Sequence, residues 1–138
     1  MRKHSWLLVS LAVMCALLLN GCGKTEQDHT HNMVDDLNPI LVELTVEPTE
    51  VQIGQQVKFE AKVTHQGKNV DDAKEVMFEF WKDGDSEEQH KKEIVQGAGD
   101  GKYVLEQVFE EAGTYHVISH VTAMDQHSMP SADFTVTE

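Results

Sequence analysis

The sequence predicts an all-β fold, an immunoglobulin-like antiparallel β-sandwich of about seven strands, following a signal peptide and a flexible tether. Three observations carry this. From Pro39 onward the apolar residues recur at every second position, the period of a half-buried strand, and no segment sustains a helical period. Seven such runs, separated by turn-forming segments, fill about 100 residues, the spacing of a sandwich of this class. The run "EEAGTYHV", Glu110 to Val117, has the acidic-x-Gly-x-Tyr form that opens the penultimate strand of such sandwiches. There the Tyr hydroxyl returns to the backbone of the preceding corner.

The elements follow in chain order. Residues 1–21 read as a lipoprotein signal peptide, with a basic start at Arg2 and Lys3 and an apolar run from Trp6 to Leu19. That run is short for a bilayer span and suited to a signal-peptide core. "LNGC", Leu19 to Cys22, resembles a lipobox, with Asn20 where Ala or Ser is usual. Cleavage before Cys22 would leave that residue to carry acyl chains, and several chains together anchor stably. The resulting expectation is a lipid-anchored protein on the extracytoplasmic face of the cell membrane. The other cysteine, Cys15, lies within the signal peptide, so no disulfide is available to the domain.

Residues 22–38 are polar and poor in core formers, a flexible linker behind the lipidated cysteine. His29, His31 and Met33 alternate in it. They can capture a metal loosely or simply belong to a solvated linker.

Residues 39–138 form the sandwich domain. "ILVELTVE" sets Ile40, Val42, Leu44 and Val46 on one face. "QVKFEAKVT" does the same for Val57, Phe59, Ala61 and Val63, and "EVMFEFW" for Val76, Phe78 and Phe80, with Met77, Glu79 and Trp81 opposite. "HKKEIVQ" is a polar strand, "KYVLEQVFE" alternates less cleanly, and "GTYHVISHVTA" and "ADFTVTE" complete the set. If Tyr115 faces inward, so do Val117, Ser119, Val121 and Ala123. His116, Ile118, His120, Thr122 and Met124 then face out.

The outward residues lead to the candidate site. His116 and His120 lie about 14 Å apart on an extended strand, too far to share a metal ion. His120 lies toward the segment that holds His127 and Met129, two positions apart and on one side if extended. His120, His127 and Met129 would supply two imidazoles and a thioether. Thioether sulfur favours monovalent copper, and imidazole accepts both copper states. Calcium and magnesium would want oxygen ligands. From composition alone, these read more readily as exposed loop residues with no shared geometry. Met77 and Trp81 either cover the same face as His120 or form a small apolar patch.

Residues 39–138 resemble the YtkA-like domain family of small extracytoplasmic domains, often lipoproteins, described as related to FixH-like proteins. The likeness rests on "PILVELTVEP", "GQQVKFEAKVTHQGKNVDDAKEVMFEFWKDG", "GDGKYVLEQVFEEAGTYHVISHVTA" and "HSMP". It implies a β-sandwich. It matches the family's His-Val-Thr-Ala and His-x-Met-Pro runs to His120–Ala123 and His127–Pro130, and a further family His to His90, a fourth ligand candidate. It also implies copper handling or support of oxidase assembly, with the membrane and a copper-handling or respiratory membrane protein as partners.

Other signals point elsewhere. Arg2 and Lys3 precede Cys22, so nine cations face all 24 acidic residues beyond it, a net charge of −15. Such a surface repels nucleic acid and anionic lipid. "GAGDG", Gly97 to Gly101, lacks the following helix of a phosphate loop and reads as a hairpin turn. "DGDSEE" lacks the ligand order of a calcium loop. No serine sits in a nucleophile-elbow pattern, and no enzymatic activity is expected. The rival to a copper module is a metal-free immunoglobulin-like interaction domain that binds a membrane protein or an envelope polymer.

Overall fold

A computed structural model describes residues 38–138. The signal peptide, the lipobox cysteine and nearly all of the linker lie outside the described residues. Eleven strands form two packed sheets: β1 (Leu41–Glu47), β2 (Glu50–Gln52), β3 (Gln56–His65), β4 (Lys68–Asn69), β5 (Glu75–Lys82), β6 (Lys91–Ile94), β7 (Gly97–Gly99), β8 (Lys102–Val108), β9 (Gly113–Ala123), β10 (Gln126–Ser128) and β11 (Ser131–Thr137). The first sheet has the order β1-β3-β8-β7, with β4 on β3. The second has the order β2-β11-β9-β5-β6, with β10 on β9.

All seven alternating runs are strands. The four additional strands have two or three residues each and arise inside segments that read as turns. Short pairings of this kind come from hairpin geometry, not from apolar alternation. Three hairpins have consecutive residues at positive φ: Gln66 and Gly67, Gly99 to Gly101, Met124 and Asp125. That backbone matches the strand twist and closes β3-β4, β7-β8 and β9-β10. At Gly101 only glycine fits, because a Cβ would sit 2.6 Å from the Val63 carbonyl oxygen. At Met124 a bulky side chain takes the left-handed conformation instead.

One pairing departs from the antiparallel expectation. β2 runs parallel to β11, with Val51 opposite Val136. The chain passes from the first sheet to the second between β1 and β2, so β2 reaches β11 in the same direction.

The core is where the alternation put it. Val57, Phe59, Ala61 and Val63 of β3, and Val76, Phe78 and Phe80 of β5, are buried. On β9 the buried set is Tyr115, Val117, Ser119, Val121 and Ala123. Phe59 sits centrally, its ring centroid 5.5–6.4 Å from those of Phe78, Phe80, Phe109 and Phe134. Fully burying such a side chain contributes roughly 1.5–3 kcal/mol, and each well-placed ring pair about 0.5–1.5 kcal/mol more. This cluster joins the two sheets without an inter-sheet disulfide. The Tyr115 hydroxyl donates to the Glu111 carbonyl at 2.9 Å, the corner that "EEAGTYHV" predicts. Ser119 is fully buried and its hydroxyl has no hydrogen-bond partner among the described residues, which nothing in the structure explains.

Candidate functional site

The outer face of the second sheet is a lattice of side chains set by strand register. Along β5 and β9, Met77 lies opposite His120, Glu79 opposite Ile118 and Trp81 opposite His116. On one flank, β6 places Ile94 beside Met77 and Lys92 beside Glu79. On the other, β10 places His127 beside Thr122, and β11 places Asp133 beside His116.

Met129 falls between β10 and β11, where Pro130 interrupts the ladder because it lacks an amide donor. Its position is still defined. Ser128 pairs with Val121, and the Ser119 amide donates to the Pro130 carbonyl at 3.0 Å. Met129 is therefore in register beside His120. One row thus reads Ile94, Met77, His120, Met129 across three strands and the link between β10 and β11. The His127 ring stands in the adjoining row, its centroid 6.1 Å from that of His120. Met129 is 56% exposed, whereas the His120 side chain is only 18% exposed.

Glu79 organises the face from below. Its two oxygens accept from two imidazoles, Oε1 from His90 Nδ1 and Oε2 from His120 Nε2, each at 2.8 Å. Lys92 Nζ stands 3.5 Å from Oε1. Burial, the largest single influence, pushes the Glu79 carboxyl up. The hydrogen bonds from His90 and His120, aided by the Lys92 and His120 charges, outweigh it and hold the group below the usual carboxylate range. With a carboxylate at Nε2, a neutral His120 keeps its proton there and leaves a lone pair at Nδ1.

His90 is placed by the turn Glu87–Gln89, where the Ser86 amide donates to Gln89 Oε1 at 3.1 Å. Its ring stacks on Trp81 at 4.2 Å and 8°. The link between His90 and His120 runs through Glu79, not through a shared opening with His127 and Met129. The polar "EEQHKKE" run reads as an edge with a solvated imidazole. Instead, the Trp81 stack leaves the His90 side chain only 11% exposed.

His116 has a different environment. Its Nδ1 bonds Asp133 at 2.7 Å and its Nε2 bonds Asp83 at 3.2 Å, and Trp81 lies 5.3 Å away. Asp133 and then Asp83 raise its pKa above 6.5, against a smaller effect of burial. His65 bonds the Asn38 carbonyl at 3.0 Å beside a hairpin turn.

The structure thus brings His120, His127 and Met129 to one rim of the outer face. Among the described residues, no three His, Cys, Asp or Glu side chains gather to hold a metal ion. A site here would have to count thioether sulfur. The sequence reading missed Glu79 as the hub and Met77 as the second neighbour of His120. The available signal was an acidic residue alternating with Met77 and Trp81 on the outward face of that run.

A family model described as YtkA-like matches residues 35–120. No curated protein matches the chain. Among solved structures, a Thermotoga maritima protein provisionally assigned as a superoxide reductase aligns at 14% identity and a TM-score of 0.51. The alignment covers 72% of this chain and 86% of that one. A superoxide reductase (neelaredoxin) from Ignicoccus hospitalis aligns at 10% identity and a TM-score of 0.47, covering 75% and 85%. A PKD domain of an M14-like peptidase from a Thermoplasmatales archaeon aligns at 18% identity and a TM-score of 0.45, covering 73% and 99%. At such identities the first of these likenesses speaks for the fold alone.

Proposed function

The chain belongs to the YtkA-like family, and from that premise we propose that it is a membrane-anchored extracytoplasmic lipoprotein that binds copper through His120, His127 and Met129. Its role would be copper delivery, sensing or oxidase assembly beside a copper-handling or respiratory membrane protein. The observation that supports this best is the register that sets Met129 beside His120, with the His127 ring 6.1 Å away.

The donor set fits copper. An imidazole nitrogen and a thioether suit Cu(I), and both copper states accept imidazole. A carboxylate behind a ligating imidazole fixes its tautomer and raises its basicity, and Glu79 stands in that relation to His120. His127 and Met129 are exposed at the rim, which favours entry and hand-over above permanent storage. Bound copper would supply a soft cation for transfer. The chain's own residues do the rest: Glu79 holds the Nε2 proton, His120 presents Nδ1, and Met129 and His127 form the outer lip.

A metal-free interaction domain is the second reading. It is favoured by apolar exposure along the same rim, with Ile94 at 62%, Met129 at 56% and Met124 at 53%. Titration of the full-length chain in detergent with Cu(I), against a competing chelator, separates the two. The copper reading expects tight binding that weakens on His127→Ala and on Met129→Leu. Copper held at 100 times its dissociation constant should add about 2.7 kcal/mol to stability. Weak binding that ignores both substitutions, with no change in melting, would leave the interaction reading. The anchor has its own test: Cys22→Ser should move the protein from the membrane fraction to the soluble one.

A further inference from the structure

We infer that Met77 is a further donor, so that thioethers flank His120 on both sides and the site takes a monovalent soft cation in preference to Zn(II) or Cu(II). The inference rests on the copper reading above and extends it to a second residue of β5, one that this reading does not use as a ligand.

The geometry is the pairing of β5 with β9. Met77 lies directly opposite His120 on the outer face, and Met129 lies in register on the other side. Cross-strand partners have Cβ atoms about 4.5–5.5 Å apart, within reach of a flexible thioether. Met77 is half-buried, so a cation at His120 would be partly withdrawn from water on that side. Ile94 closes the row beyond it.

The chemistry of the row is soft. His120 is its one polar side chain. The Glu79 oxygens are hard donors bonded to this row, and imidazole N–H groups already occupy both. A cation that requires carboxylate would have to break those bonds. Uncharged sulfur selects monovalent copper. The bland role of Met77 is to cover the sheet, and leucine would fill that role equally well.

The experiment uses the full-length chain in a Met33→Leu, Met124→Leu background, so that sulfur from the linker and the neighbouring turn does not contribute. Copper-edge X-ray absorption counts sulfur donors around bound Cu(I), and chelator competition measures affinity for Cu(I) and Zn(II). Two sulfur donors are expected. Met77→Leu should leave one and weaken Cu(I) on the order of tenfold or more, with Zn(II) affinity unchanged. One sulfur donor in the parent chain, or a Met77→Leu variant that keeps both its sulfur count and its affinity, overturns the inference and leaves the copper reading standing. The parent sulfur count decides the matter even if the variant folds poorly. A parent chain that binds no Cu(I) sinks both.

Discussion

His116 and His120 lie on one strand, on one face, four residues apart, and the structure gives them opposite characters. His116 is gripped by Asp133 on one ring nitrogen and Asp83 on the other. Those carboxylates are 69% and 74% exposed, so its partners are hydrated charges. His120 has one nitrogen on the half-buried Glu79 and methionines on either side. The first is a spent imidazole, with both nitrogens engaged. The second is oriented, with one nitrogen directed away from its carboxylate. The neighbours supplied by β5 and by the Gln126–Thr137 ribbon make the difference, since β9 itself offers both histidines the same backbone.

The comparison breaks most readily by substitution. His120→Ala should weaken Cu(I) binding about a hundredfold or more, whereas His116→Ala should leave it within about twofold, both read by chelator competition. Equal losses would erase the distinction between them. A smaller effect is expected one step back. Glu79→Gln keeps the shape and removes the charge that orients His120, so Cu(I) affinity should fall about 10–100-fold. The stability contributed by Glu79 is present above the ordinary carboxylate value of 4.5 and is lost as pH falls through its lowered folded value. The stability difference between the wild type and a Glu79→Gln variant, read by denaturant unfolding, should therefore be full at neutral pH and shrink as pH falls below 4.5.

The smallest effect belongs to His116. Its folded pKa is raised, so the stability it contributes is fully present below 6.5 and is lost as pH rises through the raised value. The melting difference between wild type and His116→Ala should be largest near about pH 5.5 and shrink toward about pH 9. With both carboxylates well hydrated, it should stay below about 1 kcal/mol. A difference that grows with pH would contradict the assigned ion pairs.

Much of the fold was legible because burial imposes a period of two. Val57 to Val63 and Tyr115 to Ala123 alternate so regularly that inner and outer faces followed from either run alone. The short strands were not legible. Gln126–Ser128 exists because Met124 and Asp125 both take positive φ, and methionine does not announce that backbone. Of the candidate site, His120, His127 and Met129 could be named from spacing along one segment. Glu79 and Met77 come from a strand some 40 residues earlier in the chain, so no local spacing could connect them.

The sequence by itself determined the two faces of each long strand, the tyrosine corner and the absence of any thiol beyond Cys22. Those properties depend on residue type and local period. Tertiary structure alone decided which strand lies beside which, and hence that Glu79 joins His90 to His120 and that Met77 and Met129 bracket one imidazole. Register is set by how the whole core packs, because a slip of one residue would turn Phe78 outward and Glu79 inward.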